Sequence, residues 1–93
     1  MDDKQYLLKV GGFLAALNME YEKRCINGMT RHQAAIFYGE EVISRLAGDL
    51  KGEMLQEVIR ELHATRFIAA VKSSTGYYLI TLKERGISFA KAK

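Results

Sequence analysis

Apolar residues recur along the first quarter of the chain at alternating spacings of three and four positions. The residues of this stripe are Leu7, Val10, Leu14, Leu17 and Tyr21. Such a period places side chains on one face of an α-helix, so the pattern predicts a long first helix from about residue 3 to about residue 24. Gly11 and Gly12 lie inside it, where each glycine costs about 1 kcal/mol relative to alanine. We therefore expect another backbone to pack closely against them.

The apolar side of this helix is wider than a single contact requires, because Tyr6 and Phe13 extend it beyond the stripe. Two explanations stay open: additional burial within one molecule, or a contact with a second copy of the chain. The dimer hypothesis assigns the contact to the five residues of the stripe.

Two further helical segments follow a turn at residues 26–29. Thr30 and Gln33 have the spacing of a capping box, which marks the start of a helix. The apolar face continues to Gly48, and Gly39 leaves open whether this segment is one helix or two. After a glycine-flanked turn, a helical apolar pattern predicts a third helix, the clearest element of the chain. Its apolar positions are Leu50, Met54, Leu55, Val58, Ile59 and Leu62.

The period then becomes extended. Residues 67–72 (FIAAVK) and 77–81 (YYLIT) are rich in β-branched and aromatic residues and predict two strands. The intervening SSTG predicts a hairpin loop in which Gly76 takes a positive φ. Strand alternation predicts that Tyr78 faces the core beside Ile80, with Tyr77 on the opposite face.

A last helix is predicted after the hairpin. Thr81 and Glu84 repeat the capping-box spacing, so we expect this helix to begin near Leu82 and to contain Gly86. The chain has 93 residues and shows no internal repeat or low-complexity linker. We therefore expect a single domain over residues 1–93.

The order of helix, helix, turn, helix and hairpin resembles the winged helix-turn-helix superfamily. EEVISRLAG is similar to the first helix of the pair, KGEMLQEVIRELHA to the second and KSSTGY to the tip of the wing. YLITLKERG is similar to the segment in many bacterial and archaeal winged-helix regulators where the last strand runs into a final helix. The resemblance covers residues 40–93 and identifies no subfamily.

This resemblance implies an α+β, mainly α fold: a long N-terminal helix within residues 1–28, the helix-turn-helix, a β-hairpin wing and a short terminal helix. It also implies double-stranded DNA as the partner, with the second helix of the pair in the major groove and the wing on the backbone or minor groove. The functional hypothesis is a transcriptional regulator that binds DNA as a homodimer, either at specific sites or generally.

Charge is distributed unevenly along the chain, whose formal net charge is +3. Residues 67–93 hold five cations against Glu84 alone, a net of plus four, whereas residues 1–66 together are slightly acidic. The five are Lys72, Lys83, Arg85, Lys91 and Lys93. Because Lys and Arg contacts to phosphates dominate DNA affinity, we expect the wing to contact the DNA backbone.

An acidic pattern opposes this interpretation. Glu53, Glu57 and Glu61 recur every fourth residue on the predicted recognition helix, and carboxylates repel phosphates. One alternative pairs Glu57 and Glu61 with Arg60 or Lys51, away from the groove. The other is a winged-helix module that binds a protein and no DNA. The DNA hypothesis assigns contacts to Lys51, Gln56, Arg60, His63, Lys72, Ser73, Ser74 and Thr75.

The composition gives little indication of catalysis or of a metal site. Cys25 is the only cysteine, and with His32 and His63 as the only histidines the usual four-ligand zinc site is not expected. VGGF at residues 10–13 lacks the spacing of a phosphate-binding fingerprint. We therefore expect no enzyme, cofactor or metal.

The compartment is also predicted from the chain. It opens with MDDK instead of a basic stretch, and its first apolar run is broken by polar residues and glycines. Neither feature is typical of a signal peptide or a membrane span. Without a disulfide framework, we expect a cytoplasmic protein with no membrane partner.

Overall fold

The computed structural model describes residues 3–91. The helices are α1 (Asp3–Ile26), α2 (Arg31–Ala34), α3 (Glu40–Ala47), α4 (Gly52–Ala64) and α5 (Glu84–Lys91). The strands are β1 (Ile36–Tyr38), β2 (Ile68–Lys72) and β3 (Tyr77–Leu82). The fold is α+β and mainly helical, with one three-stranded antiparallel sheet in the order β1-β3-β2. The predicted fold class is confirmed at this level.

Strand β1 lies where the sequence predicts helix. Thr30 caps α2 as expected, since its hydroxyl accepts a hydrogen bond from the Gln33 amide at 3.2 Å, but the helix ends at Ala34. The chain then extends, and Phe37 pairs with Ile80 of β3. Gly39 ends the strand with a φ of 106° and leads into α3. The segment after Thr30 is therefore divided at Gly39: α2 and β1 precede this glycine, and α3 follows it.

One arginine of α1 contacts β1 through both a hydrogen bond and an aromatic ring. The Nη1 atom of Arg24 donates a hydrogen bond to the Ile36 carbonyl oxygen at 2.8 Å. The same guanidinium lies 4.7 Å from the ring centroid of Phe37, a side chain with no exposed surface. A charge-assisted hydrogen bond and a cation–π contact thus hold the edge strand in place.

The hairpin contains an extra residue that reverses its alternation. Val71 opposes Leu79 and Lys72 opposes Tyr77, so Tyr78 has no partner on β2. A bulge of this kind shifts the facing of the residues beyond it. Tyr77 consequently packs against the core, and Tyr78 meets Tyr38 edge to face at 6.1 Å. The prediction that Tyr78 faces the core was wrong for this reason.

The hydrophobic core lies between α1, the sheet and α4. Its largest fully buried side chains are Phe37, Leu14, Leu17, Ile59, Leu62, Ile68, Ile80 and Val58. Helix α1 contacts all four of the other helices. The wide apolar side of α1 is therefore used largely within one molecule.

Two expectations about local structure were wrong. A Cβ built on Gly12 would meet no atom within 4 Å, so no backbone packs closely at that position. Thr81 caps no helix, because it lies within β3 opposite Ile36 and Ala69. Helix α5 begins at Glu84 instead, after the strand has continued to Leu82.

Helix length and hydropathy can be compared with the thickness of a bilayer. None of the helices within residues 3–91 combines the length and the apolar character that crossing a membrane requires. The longest, α1, has 24 residues and carries charged side chains along it.

Candidate nucleic-acid interface

Helix α4 presents one face to the core and one to solvent. Val58, Ile59 and Leu62 are buried. With 100° between successive residues, the exposed face is divided lengthwise into two strips. We call Gln56, Arg60 and His63 the hairpin-side strip, and Glu53, Glu57 and Glu61 the acidic strip.

Contacts establish which way each strip faces. Gln56 lines a groove of about 220 Å³ together with Thr75 and Tyr77 of the hairpin. His63 Nδ1 accepts a hydrogen bond from the Ala70 amide of β2 at 3.1 Å. Arg60 follows Gln56 by one helical turn, at the boundary with the acidic strip, and its positive charge acts to lower the pKa of Tyr6 on α1. Gln56 and His63 therefore adjoin the sheet, whereas Arg60 lies between the sheet and α1.

Two members of the acidic strip, Glu57 and Glu61, lie beside α1. The Tyr6 hydroxyl donates a hydrogen bond to the Glu57 carbonyl oxygen at 3.3 Å. Burial, and then the negative charges of Glu61 and Glu57, raise the pKa of Tyr6 above its ordinary value. Both carboxylates therefore lie on the α1 side of α4, away from the hairpin.

The predicted pairing of these glutamates is not seen. Among the residues that the structure describes, the one ion pair within 4.0 Å joins Arg45 Nη2 to Glu20 Oε1. Neither Arg60 nor Lys51 neutralises Glu57 or Glu61 at that range. No cation among the described residues therefore pairs with these glutamates within that distance. They are separated from the hairpin only by the direction in which they face.

The hairpin tip folds back onto the protein. The Thr75 hydroxyl donates to the Glu40 carboxylate, with oxygen separations of 3.2 and 3.4 Å. Ser73 donates from its amide to the Gly76 carbonyl oxygen at 2.8 Å, and its hydroxyl accepts from the Thr75 amide at 3.3 Å. Ser74 remains exposed. The hydroxyl groups of Ser73 and Thr75, two of the three predicted to contact DNA, thus already form hydrogen bonds within the protein.

The predicted cations remain accessible. Lys51 and Lys72 are exposed, as is Arg60 on α4. The Lys72 ammonium lies 5.6 Å from the ring centroid of Tyr77, which orients it beside the hairpin. Lys51 directly precedes α4, at the end of the helix that lies near the hairpin tip. The structure brings Lys51, Gln56 and Lys72 to this end of α4.

Most of the basic excess lies elsewhere. Of the cations counted after residue 66, only Lys72 belongs to the hairpin; Lys83, Arg85 and Lys91 lie in or next to α5, and Lys93 lies outside the described residues. Arg66 was not predicted as a contact, but its chain neighbour Phe67 meets the start of α5, where the Lys83 amide donates to the Phe67 carbonyl oxygen at 3.1 Å. The charge count along the sequence divided the chain after residue 66, so it placed Arg66 in a different segment from Lys83 and Arg85.

The residues predicted to form a dimer contact lie mostly in the core. Leu14, Leu17 and Tyr21 are buried against other helices and the sheet, and Val10 is half-buried. Leu7 alone of the five is exposed, at 66%. A side chain buried within one molecule is not available to a second, so the stripe is corrected to a core-forming face.

The described part of the chain offers no metal centre. It contains no group of three or more histidine, cysteine, aspartate or glutamate side chains placed to hold an ion. Cys25 is a half-buried free thiol in a groove of about 450 Å³ between the end of α1, α2 and α5.

Comparison of the chain with protein-family models, with curated proteins and with solved structures finds no match. Function is therefore inferred from α4, the hairpin and the charges around them.

Proposed function

We propose that this chain is a winged-helix domain that binds double-stranded DNA in transcription or another DNA transaction. The order of α3, a turn, α4 and a β-hairpin over residues 40–82 supports this assignment. In such a domain α4 enters the major groove and the hairpin, as the wing, contacts the backbone.

The lengthwise division of α4 carries the proposal. Its hairpin-side strip presents Gln56 and Arg60, the side-chain types that read adenine and guanine edges. Lys51 and Lys72 lie at the end of this strip that is nearest the tip, where they can reach phosphates. Because Glu57 and Glu61 lie near Tyr6 of α1, α4 can approach a groove without directing these two carboxylates at the hairpin side.

Charge reversal tests this surface. We expect Arg60→Glu and Lys72→Glu each to weaken binding to random-sequence duplex DNA at least tenfold, because each replaces a phosphate-attracting cation with an anion. Lys9→Glu, an exposed change on α1, is the matched control and should keep near wild-type affinity. Circular dichroism checks that all three variants fold. Equal affinities for the three variants would contradict the assigned surface.

A second candidate is favoured by the acidic strip itself. Glu53, Glu57 and Glu61 have no ion-pair partner within 4.0 Å among the described residues, so they offer a negative surface to a basic protein. The two candidates differ in the effect of Glu57→Gln. Removing this carboxylate should strengthen DNA binding slightly if α4 enters the groove. A wild-type chain that binds no DNA would favour the protein-interaction candidate.

A further inference from the structure

Three residues that carry cations lie next to Phe67 at the base of the hairpin, and one of them contacts its ring. Arg66 precedes Phe67, the Lys83 amide donates to the Phe67 carbonyl oxygen, and the Arg85 guanidinium lies 5.3 Å from the Phe67 ring centroid. Phe89 stacks on the same ring at 4.9 Å. We call Arg66, Lys83 and Arg85 the basal cluster. All three side chains are exposed.

No carboxylate neutralises the basal cluster within the described residues, whose single ion pair within 4.0 Å is on α1 and α3. Glu84 lies between Lys83 and Arg85 in sequence but faces the other way. It lines the groove beside Tyr21 and is among the charges that raise the pKa of Tyr21. The cluster therefore presents three positive charges that no carboxylate of the described residues pairs with inside 4.0 Å.

Two of these charges are placed unfavourably for α5, although Arg85 also contacts the Phe67 ring. Lys83 directly precedes α5 and Arg85 lies in its first turn, where the helix dipole favours anions and opposes cations. Mutual repulsion among three cations adds to this cost. The same arrangement of helix amides and cations is favourable toward a phosphate group.

The position of the cluster relates it to α4. Arg66 follows the C-terminal end of α4, and Lys72 ends β2 at the tip. Five residues lie between the two, so they are at most about 20 Å apart at roughly 3.3 Å per residue step. Cations thus occur at both ends of β2, beside the two ends of α4.

We propose that the basal cluster is a second phosphate-binding surface, which holds the DNA backbone at the C-terminal end of α4 while Lys51 and Lys72 hold it at the other end. This inference rests on the proposed function and extends it. The DNA then spans the length of α4 and the hairpin, and the basic excess of the C-terminal segment acts at the base of the wing instead of at its tip.

Salt dependence of binding tests the cluster directly. Each phosphate contact contributes about 0.9 to the slope of log affinity against log salt. The double variant Lys83→Gln/Arg85→Gln should therefore lower the magnitude of the slope by about 2 and weaken binding roughly tenfold at fixed low salt. The control Lys9→Gln/Lys23→Gln removes the same net charge from exposed positions on α1. It should leave the slope unchanged.

The double variant also removes the Arg85 contact with Phe67, so Lys83→Gln alone provides a second test. Its side chain has no hydrogen bond or ion pair among the described residues, and its slope should fall by about 1. Thermal unfolding checks that each variant folds.

The outcomes separate this inference from the proposed function. An unchanged slope in the cluster variants, with binding still weakened by Arg60→Glu, would overturn the inference and leave DNA binding by α4 intact. A slope that falls equally in the α1 control would also overturn it, because the effect would then be general. Absence of wild-type binding even at low salt would overturn both proposals.

Discussion

Two glycines inside helices differ in their surroundings. A Cβ at Gly86 would collide with the carbonyl oxygen of Phe67, whereas at Gly12 it would meet nothing within 4 Å. Alanine is favoured over glycine in helices by about 1 kcal/mol. We predict that Gly12→Ala raises the free energy of unfolding by about 0.5–1 kcal/mol and that Gly86→Ala lowers it. Denaturant unfolding measures both, and a gain at Gly86 would contradict the packing of α5 on Phe67.

The buried phenol of Tyr21 makes stability depend on alkaline pH. Burial, followed by the nearby Cys25 thiol, raises the pKa of Tyr21 above its ordinary value of 10.0. The folded state therefore favours the neutral phenol, and the stability it contributes is present below pH 10 and is lost as the pH rises through the raised pKa. We predict a fall in the free energy of unfolding above pH 10.

Phenylalanine variants isolate this effect. Tyr21→Phe should show a shallower alkaline fall than the wild type, whereas Tyr38→Phe, at a largely exposed position, should keep the wild-type profile. Unfolding measured at a series of alkaline pH values makes the comparison. Identical profiles for the three proteins would contradict the assignment.

At the scale of elements, one side chain of α1 adds to the β3 pairing that forms β1. Arg24 bonds to the Ile36 carbonyl oxygen and covers the Phe37 ring. We predict that Arg24→Ala lowers the free energy of unfolding by about 1–3 kcal/mol and accelerates amide exchange in β1. Lys23→Ala, at the exposed neighbouring position, should change neither by more than about 0.5 kcal/mol. Similar amide exchange of β1 in the two variants would contradict the role assigned to Arg24.

The elements predicted from the sequence were those with long, regular patterns. Helices α1 and α4 follow from their apolar period, and the two hairpin strands from their β-branched and aromatic residues. Strand β1 does not, because three residues carry no period and become a strand only by pairing with β3, more than 40 positions later in the chain. The unpaired Tyr78 likewise depends on register, and Thr81 has a capping-box spacing that strand pairing overrides.

The candidate site was predicted in part, since cations and glutamates can be counted but their directions cannot. Contact between Thr75 and Glu40 joins residues 35 apart in sequence. The basal cluster forms only when the start of β2 meets the end of β3. Neither contact has a local signal, because both depend on how the hairpin closes on the helices.

For the whole molecule, the apolar stripe of α1 stabilises the monomer. Leu17 has no exposed surface, whereas Leu7 is largely exposed. We predict that Leu17→Ala lowers the free energy of unfolding by about 2–5 kcal/mol, that Leu7→Ala has little effect, and that neither changes the mass in solution. Denaturant unfolding and light scattering provide the two readouts. A drop from dimer to monomer mass in a folded Leu17→Ala protein would restore the stripe as a contact between copies.

The proposed DNA contact extends over the same molecule, from the hairpin tip to the basal cluster. The measurement that tests it most directly is binding of the full chain to random-sequence duplex DNA across a range of salt concentrations. The account predicts micromolar binding at low salt that weakens steeply as salt rises, with a log–log slope of about −3 to −5 from several phosphate contacts. Absence of binding at the lowest salt, or binding that does not depend on salt, would contradict it.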